Sequence, residues 1–255
     1  RGYVWICVHS SGPREYNPET KSFRHIKGLE DKNIITVEDP VEYRLEGITQ
    51  VQVSPVAGRT FGLALRSILR QDPDIILIGE IRDAETANIA IQSALTGHLV
   101  LSTLHTNTAV GTITRLRDMG VEPFLIGSSL TGVIAQRLVR RLCRHCREPY
   151  TPPDAVVQRW RLDRFSDTGE ITLHRPTGCE HCGGTGYAGR SAIIELLVMT
   201  DSLRELVLKR ADAGMIAKAA AAGGMQSMFE DGLRKAIAGD TSIDEVLRVT
   251  QDSHQ

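Results

Sequence analysis

The sequence predicts an α/β fold: a parallel-rich sheet with crossover helices, a cysteine-bearing arm and a small helical C-terminal region. Three observations lead there. Between residues 33 and 105, short apolar runs of strand length alternate with segments of helical periodicity, the order that gives a parallel sheet with right-handed crossovers. Three of those runs stop at a titratable residue. Two Cys-x-x-Cys pairs then follow, with 32 residues between them.

At 255 residues the chain is long enough for one large domain or two smaller ones. With 41% hydrophobic and 24% charged residues its composition is globular, and a net charge of -1 gives no global pull toward nucleic acid or an anionic membrane. The apolar runs fall well short of the roughly 20 residues of a membrane-spanning helix, and nothing has the pattern of an export signal. In an unexported protein, paired cysteines favour metal over disulfides. The chain opens directly in a strand-like run, "YVWICV", as a piece of a longer protein would, and Cys7 within it reads as a core thiol.

In chain order, "NIITVED" (residues 33–39) is a β-rich run ending in Glu38 and Asp39. "ITQVQV" (48–53) alternates apolar and polar residues, as a half-buried strand does. "TFGLALRSILRQ" has Phe61, Leu65, Ile68 and Leu69 at helical spacing, with Arg66 and Arg70 on one face, and the pre-proline position Asp72 should end it. "DIILIGE" suits a strand buried on both faces. Asp83 can cap the helix "AETANIAIQSAL", Gly97 suits its left-handed exit, and "HLVLSTLH" is another buried strand. In the tail, Thr200, Asp201 and Ser202 can cap "LRELVLKR", Gly223-Gly224 marks a turn, and Ser242 with Glu245 forms a capping box. Met215, Met225 and Met228 read as packing between small helices.

Glu38 and Asp39, then Glu80, then His105 therefore stand at the carboxyl ends of successive strands, where open α/β sheets bind ligands. Carboxylates gathered there suit holding Mg²⁺ or orienting a water beside a phosphate. A bland alternative is that strand ends are polar because they are solvated.

"DPDIILIGEIRDAETANIAIQSALTGHLVLSTLHTN" resembles the Walker B and histidine-box region of the secretion ATPase superfamily, and "TVEDPVEY" resembles its aspartate box. The run "RLRDMGVEPFLIGSSLTGVIAQRLVRRLC" with the two Cys pairs narrows the resemblance to the type II secretion ATPases of the general secretion pathway protein E family, with type IV pilus assembly ATPases next. The resemblance spans about residues 33 to 250. It implies a RecA-like P-loop NTPase core that uses ATP and Mg²⁺ and works as a homo-hexamer. It further implies a place at the cytoplasmic face of the inner membrane. Its partners there would be secretion-system components: the cytoplasmic domain of the L-type subunit and the F-type platform protein. By the same resemblance Glu80 matches the Walker B glutamate, Glu38 a second acid near the γ-phosphate, and Asp39 lies in the aspartate box. Arg70 and Arg82 match phosphate-neutralising arginines, and His98 and His105 the histidine box. For His98 the alternative is a residue interacting with a helix dipole; for Arg66 it is a surface charge.

Cys143, Cys146, Cys179 and Cys182 can supply four thiolates to a closed, tetrahedral Zn²⁺ site; free thiols are the alternative. His145 and His181, inside the pairs, read as exposed rather than ligating. Arg137, Arg140, Arg141, Arg144 and Arg147 around the first pair raise a nucleic-acid reading, and "CEHCGGTG" looks like one unit of a DnaJ-type zinc domain. No aromatic residues interleave the arginines to stack bases, so a solvated or ring-interface helix face is the reading adopted, and no nucleic-acid partner is expected.

A phosphate loop requires Gly, four residues, Gly-Lys and Ser or Thr. The family's register for it falls on "SSGPREYNPETKSF" (10–23), which keeps only Gly12, Pro13, Lys21 and Ser22 of such a pattern. Lys21 and Ser22 are the candidate phosphate-contacting residues, yet Thr20 stands where Gly should be, and Glu15 and Glu19 bring negative charge. The expected organisation is an ATPase core over 1–136, atypical over 1–32, a zinc arm over 137–190 and a helical region over 191–255. The expected function is ATP hydrolysis coupled to pseudopilus assembly in type II secretion. Alternatives are a type IV pilus assembly ATPase, or a non-catalytic ring subunit or fragment.

Overall fold

The computed structural model describes residues 3–9, 32–54, 56, 58–165 and 170–251. The stretch 10–23 with Lys21 and Ser22 lies outside these residues, as does the side chain of Cys7.

The first half follows the expected alternation. β1 (Tyr3–His9), β2 (Ile34–Glu38) and β3 (Thr49–Gln52) precede α1 (Phe61–Ile68), which tightens into a 3-10 turn at Leu69–Gln71. β4 (Ile75–Ile78), α2 (Ala84–Leu95), β5 (Leu99–Leu104), α3 (Ala109–Asp118) and α4 (Pro123–Ser129) follow. Local chemistry sets the boundaries. Thr60, Asp83 and Thr108 each accept a hydrogen bond from the backbone N–H three residues on, satisfying a donor that the helix start leaves unpaired. Asp72 ends the first helix in a left-handed conformation, and Gly97 exits α2 at φ 120°.

The strands join in the order β3-β2-β4-β5-β1, and every pairing among them is parallel. Ile35, Val37, Ile76, Ile78, Val100 and Leu104 are buried, as expected of parallel strands covered by helices on both faces.

β6 (Leu130–Leu142) continues the sheet, followed by β7 (Glu148–Tyr150), α5 (Asp154–Trp160), β8 (Leu173–Arg175) and β9 (Tyr187–Val198). α6 (Asp201–Leu208), α7 (Ala213–Ala222), α8 (Met228–Ile237) and α9 (Ile243–Gln251) complete the chain. It divides into two compact units, 1–135 with 196–225 and 136–195 with 226–255. In the first, α6 lies on α4, with Arg204 Nε donating to Gly127 O at 2.9 Å, and Arg117 binds the α6–α7 turn through Ala211 O at 2.8 Å. In the second, Leu162, Ile171, Leu173, Leu233, Ala236, Ile243 and Val246 form their own core. No helix among the described residues is long and apolar enough to cross a membrane.

The arginine run departs from expectation. Arg137, Arg140 and Arg141 lie on β6, a 13-residue strand, and not on a helix face. Buried Val133, Ala135, Val139 and Leu142 fix its extended course, and the long arginine side chains mask that pattern. The Ser242 capping box is also only half as expected. Ser242 Oγ accepts from Glu245 N at 3.2 Å, but the Glu245 carboxylate turns to arginines instead.

Candidate functional site: a carboxyl-edge acid cluster and a tetracysteine knuckle

The sheet gathers the acids through backbone contacts. Gly79 N donates to Val37 O at 2.7 Å, and a Cβ added at Gly79 would lie 3.3 Å from Glu38 Cα. The residue before Glu80 thus packs directly on the Glu38 backbone, an approach that glycine permits. On the other side Thr103 Oγ1 donates to Gly79 O at 2.6 Å and Ile81 N to Thr103 O at 3.0 Å. This lacing carries β4 past its last ladder residue and sets Glu80 beside the end of β5.

There Glu80, with 13% of its side chain exposed, pairs with Arg82 through Oε1 and lies 3.3 Å from His105 Nε2 through Oε2. The hydrogen bond and charge of Glu80, with a smaller contribution from Asp39, push the Arg82 guanidinium above its usual range. Glu38 accepts from Thr36 Oγ1 at 2.5 Å and Gln50 Nε2 at 2.9 Å, both on Oε1. Glu38, Asp39, Glu80, Arg82 and His105 therefore stand at one edge of the sheet.

Arg70 and His98 stand elsewhere. The residues following Arg70, Gln71 and Asp72, accept hydrogen bonds from Asn33 Nδ2 at 3.0 and 2.9 Å, immediately before β2 begins. Arg70, which the resemblance matched to a phosphate-neutralising arginine, is thus exposed at the amino edge and not beside Glu80. The reason is the crossover: a helix joining parallel strands runs back along them, so its C-terminus returns to the edge where the next strand starts. His98 is likewise one residue before β5, with Nδ1 2.8 Å from Ser93 O and 3.2 Å from Thr96 Oγ1 at the end of α2. Arg66 pairs with Glu85 at 2.8 Å.

In the second unit, the Sγ atoms of Cys143, Cys146, Cys179 and Cys182 all lie within 4.8 Å of one another. Three pairs, 143–179, 146–182 and 179–182, are at 3.8 Å. A tetrahedron of sulfurs about 2.3 Å from Zn²⁺ has edges of about 3.8 Å, so the thiols fit the ion. The backbone prepares them: Cys143 N donates to Gly186 O at 2.9 Å, joining the two knuckles, while Cys179 N and Gly186 N donate to Cys182 Sγ at 3.2 and 3.1 Å. Gly186 has φ 74°, and a Cβ there would lie 2.3 Å from Pro176 Cβ. Burial raises the Cys182 thiol, but these N–H donors outweigh it and bring it down to about 6. Burial and the neighbouring thiols push Cys179 up to about 11. A bound divalent ion would hold all four thiols ionised. His145 and His181 are exposed, stack on each other at 4.1 Å, and are outside the sulfur cluster.

Sequence reasoning missed Thr36 and Gln50 as partners of Glu38. It also missed the buried Glu245 carboxylate, which takes Arg140 NH2 at 2.7 Å and Arg248 NH2 at 2.6 Å. The signal for Gln50 was the alternation of "ITQVQV", whose polar positions read as a solvent face.

Comparison with known proteins places these features in context. Residues 22–248 match the family model described as "Type II/IV secretion system protein". The chain is 57% identical over 223 residues to the type II secretion system protein E of Xanthomonas campestris pv. campestris, covering 88% of this chain and 39% of that protein. It is 50% identical over 242 residues to the type IV pilus assembly ATPase PilB of Thermus thermophilus, covering 94% of this chain and 27% of that protein. The chain spans under half the length of these two relatives. Among solved structures, the pilus retraction motor PilT with bound ADP superposes with a TM-score of 0.65 at 26% identity, over 98% of this chain and 62% of that one.

Proposed function

The chain belongs to the type II/IV secretion system protein family, and from that premise we propose that its carboxyl-edge cluster is the ATP-hydrolysing centre of a type II secretion ATPase. The observation that carries the reading is the grouping of Glu80, Arg82 and His105 beside Glu38 at the end of three parallel strands. A carboxylate so placed can orient an attacking water and, with Glu38 and Asp39, hold Mg²⁺ against phosphate oxygens. Arg82, released from Glu80, would neutralise charge on the transferred phosphoryl, and His105 would contact the γ-phosphate side. Mg²⁺ bound there supplies further neutralisation of the phosphates. Lys21 and Ser22 would approach the phosphates only through an altered loop.

Arg70 and His98, at the opposite edge, could meet a nucleotide only if another copy presented it. That accords with six copies acting as a ring at the cytoplasmic face of the inner membrane. There hydrolysis would drive pseudopilus assembly through the L-type and F-type components. The tetracysteine knuckle would hold Zn²⁺ in a closed structural site with no open coordination position. Identity of 50% with a pilus assembly ATPase supports type IV pilus assembly as a second reading.

ATP hydrolysis by the full-length protein, with residues 12–22 replaced by a loop of Gly, four residues, Gly-Lys and Thr so that turnover is measurable, tests the proposal. Glu80→Gln should lower kcat by at least about a hundredfold, the scale of a lost acid–base or water-orienting group, with the fold unchanged. Unaltered hydrolysis in that variant would overturn it.

A further inference from the structure

β3 is the edge strand of the sheet and pairs with β2 in parallel register, Thr36 beside Gln50 and Glu38 beside Gln52. Successive side chains alternate between faces, so Thr36, Glu38, Gln50 and Gln52 form one polar row. Ile35 and Val37, on the opposite face, are buried apolar residues.

Within that row Gln50 uses both ends of its amide. Nε2 donates to Glu38 Oε1 at 2.9 Å and to Tyr43 O at 3.0 Å, while Oε1 accepts from Leu45 N at 2.7 Å. Thr36 Oγ1 donates to the same Glu38 oxygen at 2.5 Å. Gln52 Oε1 accepts from Val41 N at 3.3 Å. The segment after Glu38 is therefore folded back onto β3 by two glutamines, one of which also grips the acid.

We propose that Gln50 is the positioning residue of the hydrolytic site: it holds Glu38 by Oε1, leaves Oε2 to face Mg²⁺ or water, and makes that orientation depend on the 40–47 segment being docked. The inference rests on reading Glu38 as part of that site. Its physical basis is the two-sidedness of an amide, which donates to the carboxylate while accepting from Leu45. A carboxylate at position 50 could keep only the second bond and would repel Glu38; an alkyl group could keep neither. Directing both donors to one oxygen fixes the carboxylate plane, and a fixed acid needs no reorganisation as phosphate charge develops.

The test compares Gln50→Glu and Gln50→Ala in the full-length protein by three readouts: crystal structures for the Glu38 rotamer, hydrogen exchange at Leu45, and steady-state hydrolysis with the phosphate loop over residues 12–22 restored. In Gln50→Glu, Leu45 should stay protected while Glu38 leaves its rotamer. Its kcat should fall by about tenfold or more with KM within about twofold, the pattern of an interaction made in the transition state. Gln50→Ala should also lose the Leu45 protection. Glu38 keeping its wild-type rotamer in both variants, or kcat unchanged when the rotamer moves, would overturn the inference. Failure of the hydrolytic reading itself looks different: with the phosphate loop restored, proteins with and without Glu80→Gln would hydrolyse alike, and the Glu38 rotamer would still decide whether Gln50 positions it.

Discussion

The carboxylate of Glu245 has no exposed side-chain surface and accepts from both the backbone N–H and the guanidinium of Arg140, at 3.0 and 2.7 Å. Arg248 adds bonds at 2.8 and 2.6 Å, and the Arg140 guanidinium lies 4.1 Å over the Tyr187 ring. One buried acid thus ties α9 to the strand that leads into the cysteine knuckle. Burial alone would raise its pKa, but the hydrogen bonds from Arg248 and Arg140 reverse that and hold it at about 2, against an ordinary 4.5.

A carboxyl depressed in the folded state contributes stability that is complete above its ordinary value and is lost as pH falls toward the folded one. The second unit should therefore lose stability between about pH 4.5 and 2, by on the order of 3 kcal/mol. Glu245→Gln should remove a similar amount at pH 7, because the arginines lose their charged partner. Urea unfolding of both proteins at pH 7 and pH 3 checks this. A wild-type loss on acidification that persists undiminished in Glu245→Gln would assign it to other groups.

Much of the sheet was legible because β4 and β5 are short, mostly apolar runs, β3 alternates as a half-buried strand does, and α1, α2 and α3 each begin at a Thr or Asp cap. What escaped were relationships that only long-range pairing creates. Arg70 shares a helix with residues near the sheet, but which sheet edge its helix returns to is set by the crossover. The arginines of β6 obscure an extended strand because their periodicity is not that of its buried residues. Gln50 looks like the solvent face of an alternating strand until β2 lies beside it. The tail helices form one run in sequence, yet α6 and α7 group with the first unit and α8 and α9 with the second, because each pair buries a different apolar face.

Gly79 gives a direct handle on the acid cluster. A Cβ at this position would lie 3.2 Å from Val37 O and 3.3 Å from Glu38 Cα, tighter than ordinary packing and against backbone that cannot rotate away. Gly79→Val should force the ends of β2 and β4 apart, cost roughly 1–3 kcal/mol, and lower hydrolysis more than the fraction unfolded explains. Thermal unfolding alongside hydrolysis on the folded fraction separates the two effects. A variant with the wild-type midpoint and wild-type kcat would show that the close approach is unimportant.

For the cysteines, elemental analysis should find one Zn²⁺ per chain, with all four thiols protected from a thiol reagent until a chelator is added. Cys182→Ser should release the metal and unfold the knuckle while the parallel sheet persists, because metal binding there is local folding energy. Far-UV circular dichroism would then change little, and protease sensitivity would rise between residues 143 and 186. Metal-free protein with four freely reactive thiols and an intact knuckle would contradict the assignment.

The stretch "SSGPREYNPETKSF" leads to the last prediction: this chain should bind ATP weakly and barely turn it over. A phosphate loop works by wrapping backbone N–H groups around the phosphates at a helix start, in a conformation that glycine allows. Here Pro18 removes one donor, Thr20 replaces the glycine before Lys21, and Glu15 and Glu19 repel a polyanion. Losing a few charge-assisted hydrogen bonds, at roughly 1.5–3 kcal/mol each, weakens binding by several orders of magnitude. Isothermal titration with ATP and Mg²⁺ should therefore give no saturable micromolar binding. Replacing residues 12–22 with a loop carrying Gly, four residues, Gly-Lys and Thr should restore it, and with it hydrolysis that depends on Glu80. Micromolar affinity in the unaltered chain would mean that Lys21 and Ser22 already reach the phosphates through a lengthened loop. In that case the replacement should bring no further gain.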